Sequence, residues 1–172
     1  MSRHWCVSGT LLALLVAPAA RAEELTPTVG TRLIDYYANR RNYRSVKRDV
    51  VRWHKTTRNG CVAFASTALR HIGIDIPERG KRDGLGISRI TFTFSAYLEE
   101  SGWVRIERTV NLIPGDMVFT TGFPDHVFVF HSWANDDALV ANVIDNQGFM
   151  LERKMFPDST STDAAFSYAL RR

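Results

Sequence analysis

The sequence predicts an α+β domain in which N-terminal helices pack on an antiparallel β-sheet. Three observations carry that expectation. Apolar residues recur every three or four positions in 26–45 and again in 61–72, which is the spacing of one helix face. The second half of the chain instead holds short runs of β-branched and aromatic residues bounded by turn signals. The size fits one core: 172 residues, 45% hydrophobic and 23% charged, suit a single ordinary globular domain and leave little room for another.

Taken in order, residues 1–22 stand apart. Arg3 and His4 precede the short apolar run TLLALLVA (10–17), and Ala20-Arg21-Ala22 places small residues where a signal peptidase reads. This predicts a secretory signal peptide cleaved after Ala22, a domain over 23–172, and a periplasmic or extracellular location. The run is shorter than the roughly 20 apolar residues of a membrane-spanning helix, and no other stretch is apolar enough to span. Cleavage removes Arg3 and Arg21 and no acid, so the formal charge falls from +4 to +2.

TPTVGTRLIDYYANRRNYRS (26–45) has Val29, Leu33, Ile34 and Tyr37 at helical spacing, which predicts an N-terminal helix against the body. Arg40, Arg41, Arg44, Lys47 and Arg48 cluster next to it. With Asp49 following and no nucleic-acid motif beside them, they read as a solvated helical face, and no nucleic-acid partner is expected.

The next helix carries the chemistry. In RNGCVAFASTALRHIGIDIP (58–77), Val62, Ala65, Leu69 and Ile72 define one apolar face, and three alanines keep the helix thin enough to pack closely on a sheet. Gly73 is placed for a left-handed C-terminal cap, Pro77 blocks continuation, and Asn59 is the expected N-cap. Cys61 falls in the first turn. Unpaired N–H groups and the helix dipole there favour a thiolate, and the same N–H groups suit a developing oxyanion. Cys6 leaves with the signal peptide, so Cys61 has no intramolecular partner. The thiol therefore packs, bridges to another molecule, or reacts, and its position favours a nucleophile.

A nucleophilic thiol needs a base. His71 is on the same helix, and at about 1.5 Å per residue it lies roughly 15 Å away, as a favourable charge near the C-terminus. His54, in VVRWHK, has nothing to fix it near Cys61. His126 and His131 lie in DHVFVFHSW (125–133), a strand, and their odd separation sends them to opposite faces. His126 opens the strand at a loop junction and is the expected base; His131 reads as half-buried. The turn N-D-D (135–137) returns the chain as ALVANVID (138–145). Pairing Trp133 with Leu139 brings the end of that strand beside His126. Asp145 is then the expected orienting group, with Asn146 the alternative, and D-N-Q-G equally reads as a plain turn.

The remaining stretches complete one domain. PERGKRDGLGIS (77–88) reads as a long loop, either bordering the cleft or merely connecting. ITFTFSAYLEESGW (90–103) predicts a helix ending at Gly102, against a competing strand-like alternation in ITFTF. LIPGDMVFTT (112–121) gives a Pro-Gly turn into a strand. GFMLERKMF (148–156) and AAFSYALRR (164–172) read as closing strands. Trp53 and Trp103 suit core or cleft wall.

Together NGCVAFASTALRHIGIDIP, LIPGDMVF, DHVFVFHSW and NVIDNQG resemble the papain-like cysteine hydrolases of bacterial cell walls, which include the NlpC/P60 and CHAP domains. The resemblance covers about residues 57–148. It implies a helix on an antiparallel sheet of five or six strands. Cys61 is similar to the nucleophile, His126 to the base and Asp145, or Asn146, to the orienting residue. It implies hydrolysis of an amide in peptidoglycan stem peptides without a cofactor. The match departs from both subfamilies: Gly60-Cys61-Val62-Ala63 stands where NlpC/P60 domains usually have Asp-Cys-Ser-Gly, an acid or amide stands where their third residue is commonly His, and Phe64 only loosely matches the aromatic that CHAP domains carry soon after the Cys. Other expectations are a non-catalytic wall-binding module, acyl transfer by the same triad, and a redox or bridging role for Cys61. A metal held by Cys61, His126 and Asp145 lacks the paired spacing of zinc sites, and none is expected. The chain is expected to act as a monomer on peptidoglycan or another peptide.

Overall fold

Two helices form where the sequence suggests one. The computed structural model describes residues 26–122 and 125–172; the signal-peptide reading of 1–22, with Cys6, lies outside them. Helix α1 spans Val29–Ala38 and is capped by Thr28, whose hydroxyl accepts from Thr31 N–H at 3.1 Å. Asn39 then leaves helical geometry, and its side chain accepts from Arg41 N–H at 3.0 Å, starting α2 over Arg40–His54. A cap satisfies donors that no turn of its own helix can reach, so Asn39 ends one helix and begins the next. Helix α2 buries Tyr43, Val46 and Val50 at helical spacing and leaves most of its arginines toward solvent, as the charge pattern predicts.

Helix α3 (Cys61–His71) is buried over Cys61–Leu69 without a break, because it lies between α2 and the sheet. A helix covered on most sides needs small residues at its closest approaches, and Ala63, Ala65 and Ala68 provide them. At its end Ile72 N–H returns to Ala68 O at 3.3 Å, Ile74 N–H returns to Leu69 O at 3.0 Å, and Gly73 takes φ +80°. The expected loop 77–88 contains a small hairpin of β1 (Lys81–Arg82) and β2 (Leu85–Gly86). Its turn, Asp83-Gly84, is left-handed at both residues. Helix α4 (Thr91–Glu100) follows and stops before Gly102 at φ +88°, so the helical reading of 90–103 prevails over the alternation.

Six strands then build one sheet: β3 (Val104–Ile106), β4 (Met117–Thr120), β5 (Val127–Trp133), β6 (Val140–Ile144), β7 (Phe149–Lys154) and β8 (Phe166–Arg171). Their spatial order is β3-β8-β4-β5-β6-β7, and every neighbouring pair is antiparallel. The class is therefore α+β, helices on an antiparallel sheet. Strand β8, read from sequence as a closing strand, sits inside the sheet between β3 and β4.

The sheet is buried on both faces. Met117, Phe119, Val127 and Val129 face the helices, while Val118, Phe128 and Phe130 face a second cluster that includes Leu112 and Met155. Alternation of side chains across a strand puts successive residues on opposite faces, so a strand covered on both sides reads as a continuous apolar run. That is why MVF and VFVF show no polar partner positions.

The Pro114-Gly115 turn anchors the sheet to α1. Gly115 has φ +93°, and a Cβ there would lie 2.2 Å from Gly30 Cα. Beside it Arg171 forks onto Asp116, with Nε to Oδ1 at 2.8 Å and Nη2 to Oδ2 at 2.7 Å, tying the start of β4 to the end of β8. Among the described residues no helix is long and apolar enough to cross a membrane.

Candidate active site

The site lies where the first turn of α3 meets the starts and ends of β5 and β6. Cys61 opens α3. The N-cap is Gly60, not Asn59: Asn59 takes φ 51°, and Gly60 N–H turns back to Thr57 O at 3.2 Å with no side-chain cap. The helix thus begins without a side chain competing for its free N–H groups. His126 precedes β5. Its backbone is clamped to β4, donating to Thr120 Oγ1 at 3.1 Å and accepting from Thr120 N–H at 3.0 Å. Asp145 follows β6 directly.

The hairpin register differs from the sequence expectation. Trp133 pairs with Ala141 instead of Leu139, and a bulge between Phe130 and Ser132 then sets Val129 opposite Ile144. The bulge inserts one extra residue in β5 and re-aims the strand. Asp145 and His126 still meet: His126 Nε2 lies 2.8 Å from Asp145 Oδ2. Asp145 does two jobs with two oxygens. Oδ1 accepts from Gln147 N–H at 2.7 Å and Gly148 N–H at 3.0 Å, forming the turn; Oδ2 faces the imidazole. One carboxylate thus both closes the D-N-Q-G turn and meets the imidazole. Asn146 points elsewhere, donating Nδ2 to Thr57 O at 2.8 Å, with its buried Oδ1 unpartnered.

Arg153, from β7, belongs to no motif of the sequence. Its guanidinium meets Asp145 Oδ2 at 2.6 Å through Nη2, Asp163 Oδ1 at 3.0 Å through Nη1 and Gln147 Oε1 at 2.8 Å through Nη2. An acid at a turn and an arginine in the strand leaving it were the available signal, but only the register joins them.

The electrostatics follow from these contacts. Burial pushes the Asp145 carboxyl up, yet the His126 hydrogen bond and the Arg153 charge outweigh it and hold the group at about 2. A carboxylate can only accept, so Nε2 carries the proton and Nδ1 is left for the thiol. Burial pushes the Cys61 thiol up as well; a hydrogen bond to His126, its charge and the N–H groups of Val127 and Val62 bring it below the ordinary thiol value. Burial lowers His126, but Asp145 and Cys61 raise it to about 9. All three shifts run toward the charged forms: Asp145 and Cys61 move down and His126 moves up.

A cleft of about 550 Å³ opens on Cys61 and His126. One wall is the approach to α4, Arg89–Phe92, and another includes Asn146, Gln147 and Arg153. No residue of 77–88 lines it, so that segment is a connection to the wall and not the wall itself. The other histidines lie apart. His54 is half-buried with Nδ1 2.9 Å from Thr56 O, and His131 is half-buried beside Ser132. His71 is more than a surface charge: its ring is held between Asp49 Oδ2 at 2.9 Å and Tyr36 Oη at 2.5 Å. Among the described residues no group of three or more His, Cys, Asp or Glu is disposed to hold a metal ion.

Fold and site define an α+β protein in which Cys61 and His126 open on a cleft and Asp145 is buried behind the imidazole. Comparison with protein-family models, with curated proteins and with solved structures finds no match to this chain.

Proposed function

We propose that this protein is a cysteine hydrolase of papain-like, NlpC/P60-type fold that cleaves an amide bond in peptidoglycan stem peptides. One observation carries the reading. Asp145 holds His126 through Nε2 and leaves Nδ1 free, and His126 opens on the same cleft as the Cys61 thiol at its helix start. A merely space-filling cysteine needs neither the oriented ring nor the opening.

The chemistry follows from the charges. The Cys61 thiolate attacks the amide carbonyl, and N–H groups at the start of α3 stabilise the oxyanion. His126 gives its Nδ1 proton to the leaving amine, and a thioester joins the acyl group to Cys61. Water then enters; His126 takes its proton, the carbon–sulfur bond breaks, and the acid leaves. Asp145 keeps the ring in one tautomer and balances the imidazolium throughout.

The test is the pH dependence of Cys61 alkylation by iodoacetamide, read by mass spectrometry of the peptide that contains Cys61, in wild type and His126→Ala. The expected result is a thiol that titrates below the ordinary value in wild type and well above that in the variant. A thiol indifferent to His126 would sink the reading. Purified peptidoglycan should then gain free amines in the presence of wild type and none with Cys61→Ser.

A further inference from the structure

We propose that Arg89 recognises a carboxylate on the substrate, carried beside an apolar side chain. The inference rests on the reading of Cys61 as nucleophile and names what the cleft selects.

Two arginines line the cleft, and they are in different states. Arg153 is saturated by Asp145, Asp163 and Gln147. Arg89 is exposed, and among the described residues no carboxylate lies within ion-pair distance of it. Its guanidinium stands over the Trp53 ring at 5.8 Å, an arrangement that braces the cation and leaves its donors uncommitted. A guanidinium with a free fork of donors matches a carboxylate in geometry as well as charge.

The surroundings point the same way. Arg89 leads directly into α4, whose first turn contains no acid and has no side-chain cap on its N–H groups. That end of the helix favours an anion, in addition to the cation. Next to it Ile90 and Phe92 line the cleft although 37% and 57% exposed, two apolar side chains held at the mouth of a polar site. Across the cleft Asn146, only 6% exposed, keeps an unpartnered Oδ1 that lacks a donor. A carboxylate, an apolar group and an amide N–H are the features of an N-acylated apolar amino acid. Asp125, on the strand side of the cleft, disfavours the reverse placement of the anion.

The experiment uses protection of Cys61 from iodoacetamide by three small probes: N-acetyl-leucine, its primary amide, and N-acetyl-glycine. N-acetyl-leucine is expected to protect saturably, at a concentration about tenfold or more below that needed for the amide, as a charge-assisted hydrogen bond requires. N-acetyl-glycine should protect less well than N-acetyl-leucine. Arg89→Gln should erase the preference for the acid over the amide, and Arg89→Lys should restore part of it. Equal protection by acid and amide, no protection by any probe, equal protection by the two acids, or a preference that survives Arg89→Gln would each overturn the proposal. The alkylation profile without probes reports the Cys61–His126 pair separately. A lowered thiol value with no acid preference removes the Arg89 inference and leaves the hydrolase reading standing.

Discussion

Arg153 Nη2 lies 2.6 Å from Asp145 Oδ2, the oxygen that also meets His126 Nε2. The carboxylate that meets the imidazole is thus also held by a guanidinium, which reaches on to Asp163 and Gln147. His126 before β5, the N–H groups of the β6–β7 turn and Arg153 of β7 converge on one fully buried carboxylate, and Asp163 before β8 holds Arg153 in turn.

Removing the guanidinium leaves that charge with one partner fewer. Breaking a buried pair costs about 3–5 kcal/mol, so Arg153→Met should lose on the order of 3 kcal/mol of stability in urea titration. Arg153→Lys keeps the charge without the fork and should fall between. A loss within a few tenths of a kcal/mol in the Met variant would mean the pair is dispensable.

Acid should act through the same carboxylate. Asp145 is depressed from 3.8 to about 2, so its contribution is present above 3.8 and lost as pH falls through about 2. The displacement corresponds to about 2–3 kcal/mol. The difference in unfolding free energy between wild type and Asp145→Asn should therefore be constant between about pH 4 and 6 and shrink toward pH 2. The alkaline side behaves differently. His126, taken alone, is stabilising in full below 6.5 and loses that contribution through about 9. The lowered Cys61 has the opposite sign, so the two slopes offset each other.

Asp145 and Asn146 are neighbours with separable effects. Asp145→Asn removes the negative charge that holds the imidazolium and should raise the Cys61 thiol toward its ordinary value in the alkylation profile. Asn146→Ala cuts the tie to Thr57 and should cost about 1 kcal/mol of stability while leaving the thiol value where it was. Exchange of these two outcomes would reassign the orienting role.

Gly115→Ala tests the seat of α1 on the sheet. The added Cβ meets backbone at 2.2 Å and a φ of +93°, so neither rotamer change nor a small side-chain shift relieves it. Strain of both kinds predicts a loss of about 2–4 kcal/mol, read as a lowered urea midpoint.

How far the sequence reached depends on the range of each signal. Local signals were readable: Gly73 and Gly102 end their helices, and Pro114-Gly115 turns the chain into β4. Cys61 and His126 were readable because a helix start and a strand start mark them. Nonlocal geometry was not. Nothing near residues 130–132 announces the bulge that shifts the register, and Asn39 looks like any helix residue until its side chain caps α2. Arg153 was invisible for the same reason: its partners lie in three other segments, and only the completed β6–β7 pairing brings them within reach. The position of β8 is likewise a property of the whole sheet, since AAFSYALRR fits an edge as well as an interior strand.

That interior position sets an order of assembly. Strand β8 follows every other strand along the chain, yet it joins β3 to β4. Residues 104–120 stay without their shared neighbour until 166–171 emerge from the ribosome. The helix bearing Cys61 is made about a hundred residues earlier, but the platform beneath it closes last. Such long-range pairing slows folding and leaves the sheet beneath α3 incomplete until β8 has been made. Until then the nascent chain carries the Cys61 thiol without the completed sheet on which His126 and Asp145 meet.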